Sequence, residues 1–247
     1  VADVSDDVAI GRAAAAELVQ LARASRVGGA DGEAVLVQGH NRLRAQQVVG
    51  VLVGKSACLE ILPKIDTLDA AGCREQLVHM LARVLDLEIS QGSLAQLRWQ
   101  RHDLLEILIR LFTDQLFAAV HRGLPRRYID EDGDLPSLRG RLNVERQFRV
   151  LAASPQRLAC RFQELSSDIP LNQIMKAAVT LLARLARSSS NQRKLNELAL
   201  AFADVGTIQV SRLPWDQVVL DRTNASWAGL LQLAKLLLGQ RFQTTTL

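Results

Sequence analysis

Apolar residues recur along this chain with two different periods, and the change from one to the other divides it. Residues 6–25 repeat at helical spacing. Ile10, Ala13, Ala14, Leu18, Leu21 and Ala22 share one face, with Asp6 and Asp7 at the positive N-terminal end. Gly28-Gly29 and Asp31-Gly32 then break the pattern. Three β-like runs follow over 33–38, 47–53 and 57–62, joined by Gly39-His40-Asn41 and Gly54-Lys55-Ser56. Pro63, with no N–H to give to a ladder, ends the third. From about residue 66 the period lengthens to 3.6. A helix is predicted over 68–87, with Cys73, Leu77, Met80, Leu81 and Val84 as its apolar stripe. A stronger one spans 102–122, lined by Leu104, Ile107, Leu108, Leu111, Phe112 and Val120 and stopped by Gly123 and Pro125. Others cover 172–187, 191–202 and 226–238. The predicted class is α+β: a small N-terminal antiparallel β meander or partial barrel, then a mainly helical domain. The divisions are 1–65, 66–205 with a polar insertion at 122–150, and 206–247.

In 247 residues, 48% of them hydrophobic, such runs can bury a substantial core. The net charge of +4 is mild, but it is concentrated. Between Arg122 and Arg161 nine arginines face five carboxylates, an excess equal to that of the whole chain. Aromatics are only 4%, which argues against a surface that stacks many unpaired bases. Cys58, Cys73 and Cys160 are odd in number, and with His40, His79, His102 and His121 they form no paired ligand spacing. A reduced, cytoplasmic setting fits that usage. No run reaches the roughly 18 apolar residues of a membrane span, and no signal-peptide pattern opens the chain, so no membrane partner is expected.

Familiar catalytic patterns fail on inspection. Gly50-Val51-Leu52-Val53-Gly54-Lys55-Ser56 approximates a phosphate-binding loop, but its first glycine is one residue too close and a strand-like run, not a helix, follows. An ordinary hairpin turn is expected there. Metal-dependent DNA cleavage commonly uses an acidic residue two positions before a lysine. The residues preceding the five lysines in that way are Val53, Leu62, Ile174, Gln192 and Leu233, none acidic. Asp130-Glu131-Asp132-Gly133-Asp134 has its glycine too early for a calcium loop and reads as a solvated acidic turn. The histidines lack a nucleophile context. No complete active site, metal site or cofactor site is expected within these residues.

Three ordered constellations remain. The first is Val49-Gly50-Val51 with Leu59-Glu60-Ile61-Leu62-Pro63-Lys64-Ile65. The second is Gly123-Leu124-Pro125-Arg126-Arg127-Tyr128 with Leu138-Arg139-Gly140-Arg141-Leu142. The third is Phe162-Gln163-Glu164 with Asp168-Ile169-Pro170-Leu171-Asn172. In order and spacing, over about residues 40–205, they resemble the McrC family, the nuclease-bearing partner of the GTP-driven AAA+ ring protein McrB. The resemblance implies an N-terminal part that docks on a McrB-like hexamer and stimulates its GTP hydrolysis. It also implies a C-terminal PD-(D/E)xK nuclease that cuts DNA near methylated cytosines, and 206–247 would be the lead-in to it. Mg²⁺ would belong to that nuclease and GTP to the partner; DNA would be met through the complex.

Beside the resemblance stand local readings. Arg139-Gly140-Arg141 sets two planar, permanently charged forks around a flexible residue, suited to carboxylates or phosphates, or else to pairing with Asp130–Asp134 as a structural turn. Asp168 is placed to cap the helix that follows it or to favour its positive N-terminus, Glu60 to pair locally with Lys64, and Tyr128 to pack with a wet hydroxyl. The candidate partner contacts are Arg126, Arg127, Tyr128, Arg139, Gly140 and Arg141, with the β-rich 33–65 stretch as the other docking surface. Two alternatives stay open: a freestanding nucleic-acid-binding module using 122–161, and a structural adaptor.

Overall fold

A computed structural model describes residues 10–24, 35–40, 42–46, 48–54, 57–65, 68–87 and 103–239. The start of the first predicted helix, the 28–32 break, His102 and the Lys55-Ser56 dipeptide lie outside the described residues. Seven helices are described: α1 (Arg12–Ala24), α2 (Ala70–Val84), α3 (Leu104–His121), α4 (Val144–Arg149), α5 (Pro170–Leu185), α6 (Ser189–Ala201) and α7 (Ala228–Leu238). The strands are β1 (Leu36–Gln38), β2 (Leu43–Ala45), β3 (Gly50–Val53), β4 (Cys58–Ile61), β5 (Arg127–Leu135), β6 (Arg141–Leu142) and β7 (Leu158–Ser166). The α+β class holds.

The body is helical. α3 packs on α6 and α7, and α5 packs on the same two, so the four helices close around one core. Phe112, Ile174, Met175, Leu195, Leu198, Phe202 and Leu233 are lost from solvent there. Local signals explain the helix starts. Asp103 caps α3 by accepting from the Glu106 N–H at 2.9 Å, Asp69 caps α2 through Gly72, and Pro170 occupies the first turn of α5, where no N–H is needed. α6 lacks a side-chain cap of its own. The buried Glu106 carboxylate of α3 supplies one from outside, accepting from the backbone N–H groups of Arg187 and Ser188 and from Asn191 Nδ2 at 2.7 Å. The buried stripe of α2 is Cys73, Val78 and Ala82; Met80 and Val84 point to solvent, against the predicted stripe.

The N-terminal strands form two antiparallel hairpins, β1–β2 and β3–β4, with Val53 opposite Cys58 and Gly54 N–H donating to Ala57 O at 2.8 Å. A strand, Cys58–Ile61, therefore follows the glycine-lysine motif, as the spacing argued. β3 is shared between two cores. Val51 and Val53 join the helical cluster, while Leu52, on the other face, joins Leu18, Ala22, Val35 and Leu36. Glu60 on β4 does not pair with Lys64. It makes a bidentate bridge to Arg74 of α2 at 2.8 and 2.7 Å and accepts from the Leu104 N–H at 3.0 Å, tying β4, α2 and α3 together.

Between α3 and α5 stands the third sheet, in strand order β5-β7-β6. The connector predicted as polar and turn-rich is this sheet. Its acidic run is the middle of a nine-residue strand, not a turn. Neither apolar cluster draws a residue from 125–168; the sheet buries only Leu151, Ala159 and Cys160 of its own apolar residues. From Arg127 opposite Ser166 to Leu135 opposite Leu158 the β5–β7 ladder covers nine paired positions, about 26 Å at strand rise. It is an arm.

Candidate partner-docking arm

The root of the arm is fixed by Asn172, fully buried on α5. Its Nδ2 donates to Pro125 O at 2.8 Å and Ser167 O at 2.7 Å, the residues flanking the two long strands. Asp168 does not cap α5: its Oδ1 accepts from the Gly206 N–H and from Gln173 Nε2, both at 2.8 Å. Arg127 adds a second tie, donating to Val219 O at 2.9 Å and meeting Asp221 at 3.4 Å. Hydrogen bonds from Thr223 first, then from the Asn224 backbone and Arg127, hold the Asp221 carboxyl below the usual carboxylate range.

Along the arm, register decides which side chains meet. Asp132, Arg161 and Arg141 lie in one rank across the three strands. Arg161 bridges Asp132 at 3.0 Å, and Arg146 makes a bidentate bridge to Asp134 at 3.1 and 3.0 Å. Those hydrogen bonds raise both guanidinium pKa values, and Arg146 depresses that of Asp134. Arg149 pairs with Glu145 at 2.6 Å. Two carboxylates of the acidic run are thus paired by Arg146 and Arg161, not by the Arg139-Gly140-Arg141 segment. Arg139 instead stacks over Phe162, 4.2 Å from the ring centre, and meets Glu164 at 3.4 Å. Arg122, Arg126, Arg141 and Arg157 have no carboxylate partner among the described residues.

Gly140 is required by shape. Its φ is +71°, and a Cβ there would lie 2.3 Å from Arg161 O, so the turn presses directly on β7. The six candidate residues do not form one patch. Arg126, Arg127 and Tyr128 sit at the root, whereas Arg141 is level with Asp132, five register steps or about 17 Å along. Tyr128 is 70% exposed, not packed.

Sequence reasoning passed over the end of the arm. Asn143 Oδ1 caps α4 through the Arg146 N–H at 3.1 Å, and Gln147 pins the helix to β7, donating to Arg157 O at 3.1 Å and accepting from the Ala159 N–H at 2.7 Å. So held, α4 leaves Val144 and Phe148 in solvent. The signal available was an Asn cap followed by two apolar residues four apart.

A family model described as the McrBC 5-methylcytosine restriction system component matches residues 43–246. The chain belongs to this family. Two solved structures of similar fold sharpen the placement within McrBC. The cryo-EM structure of the Thermococcus gammatolerans McrBC complex is 29% identical with a TM-score of 0.71, covering 82% of this chain and 62% of that one. The refined half-complex from a tetradecameric assembly of Thermococcus gammatolerans McrB AAA+ hexamers with bound McrC is 30% identical with a TM-score of 0.72, covering 83% of this chain and 50% of that one. This is a McrC-like subunit, as the ordered motifs implied, and it spans 50–62% of the length of those relatives. No curated protein matches it. Among the described residues no helix is long and apolar enough to cross a membrane, and no group of three or more metal-ligating side chains is found.

Proposed function

We propose that this McrC-like chain docks on a McrB-like AAA+ GTPase hexamer through the arm of residues 126–166 and stimulates GTP hydrolysis there. The observation that carries this reading is the arm itself. A body that buries its apolar residues around a four-helix core extends an about 26 Å ladder that adds nothing to that core, and residues 126–166 carry eight of the chain's arginines. Support comes from the similar structures, one of which is of McrB AAA+ hexamers with bound McrC. The β1–β4 hairpins make a poorer docking surface, because the apolar side chains of β3 are divided between two internal cores.

On this reading DNA is met through the complex, and cleavage belongs to a PD-(D/E)xK nuclease part with its own Mg²⁺. None of the five lysines here follows an acidic residue by two positions, and Gln192-Arg193-Lys194 lies on α6, where Lys194 bridges Asp114 of α3. A subunit that acts on modified DNA works in the cytoplasm, as a defence against incoming genomes.

The test is the paired substitution Arg139→Ala and Arg141→Ala. At sub-saturating chain, stimulation of the partner's GTPase falls about tenfold, with the thermal melt unchanged. Full stimulation by a folded variant would contradict the assignment of these arginines.

A further inference from the structure

Five large apolar side chains stand in solvent within the thirteen residues 138–150: Leu138, Leu142, Val144, Phe148 and Val150. Surfaces of soluble proteins carry scattered apolar residues, but a concentration of this kind marks a contact site. Phe148 is the extreme case at 73% exposed. It is not loose: Asn143, Gln147 and Arg146 fasten α4 from three directions, to its own first turn, to β7 and to Asp134 on β5. A helix of six residues has little stability alone, so these polar ties are what keep Val144 and Phe148 presented as a fixed pair, one turn apart. Prior fixation removes the ordering cost that a partner would otherwise meet.

The charges around the pair say what sort of partner fits. Arg146, Arg149 and Arg161 are each joined to a carboxylate, so the arginines on the helix itself are engaged, and among the described residues only the flanking Arg141 and Arg157 remain open to phosphates. An aromatic and a β-branched side chain on a helix whose own arginines are paired is the composition of a protein–protein anchor.

We infer that Val144 and Phe148 are the apolar anchor by which the distal end of the arm grips the AAA+ ring, with the arginines serving orientation. This rests on the docking reading above and is continuous with the surface named there. The partner's side must then offer an apolar recess, not an acidic one, at the position reached by the arm's end.

The full chain and its variants are titrated onto an immobilised McrB-like hexamer from the same source, held with a non-hydrolysable GTP analogue, at low and high salt. Phe148→Ala weakens binding about thirtyfold at both salt concentrations, Phe148→Leu restores most of the affinity, and Val144→Ser shows a smaller loss. The melting temperature stays at the wild-type value, since the ring touches nothing in the core. Wild-type affinity in Phe148→Ala would overturn the inference while leaving the docking proposal standing. A loss confined to low salt would also overturn it, by making the contact ionic. Loss of binding to a 30-base-pair duplex with ring binding intact would reassign the pair to nucleic acid. If the wild-type chain fails to bind the ring at all, the docking proposal itself falls.

Discussion

In the helical body Phe112, Ile174, Leu195 and Phe202 are wholly removed from water, while in the arm Phe148 and Tyr128 stand in it. The two regions are held by different forces. Apolar burial closes the body, and polar groups inside it are put to work, as Glu106 is in capping α6. The arm is held by ladder hydrogen bonds and by exposed ion pairs such as Arg146–Asp134 and Arg161–Asp132, each worth little by itself. A region whose side chains are not needed for packing is free to use them on a partner. That is the physical reason to look for function on the arm.

The comparison can be broken most easily in the body. Phe112→Ala empties a fully buried site and costs about 3–5 kcal/mol in urea unfolding, whereas Phe148→Ala changes stability by less than about 0.5 kcal/mol. Equal costs would mean that the arm's end is packed in solution. Next comes Glu106→Ala, which strands the Arg187 and Ser188 N–H groups and the Asn191 amide, at about 2–4 kcal/mol. Its loss should appear as earlier hydrogen exchange at the start of α6, and an unchanged α6 would deny the cross-helix cap.

Within the arm, effects are smaller and local. Gly140→Ala forces a Cβ against Arg161 O at positive φ and costs about 1–3 kcal/mol, read as faster exchange at 141–142 and 160–161 with the body unaffected. Weakest is the response to acid. The Asp134 carboxyl has a folded pKa below its unfolded value, so the pair with Arg146 stabilises above about pH 4 and is lost as pH falls through the folded value. Amide exchange around α4 should therefore rise only below that range. A rise between pH 5 and 7 would point to some other titrating group.

How legible this was from sequence follows the same division. α3, α5 and α6 could be read from their 3.6 period and their Pro and Gly punctuation, and the 50–61 hairpin from its turn, because burial on one side imprints a period. The arm has no such imprint. Both faces of β5 meet solvent over Asp130, Glu131 and Asp132, so no apolar alternation marks Arg127–Leu135 as a strand, and its acids mimic a turn. Glu60 and Asp168 were misread for another reason: their partners, Arg74 and Gly206, are 14 and 38 residues away, where local spacing carries no information. The arginine cluster itself was visible. Which of its members are free was not, since pairing is set by the β5–β7 register.

The most direct measurement is hydrogen–deuterium exchange on the full chain, alone and bound to the McrB-like hexamer. New protection should fall on 126–166, strongest around α4, with β1–β4 and the four core helices unchanged. Protection over 36–61 with the arm as exposed as before would contradict the account.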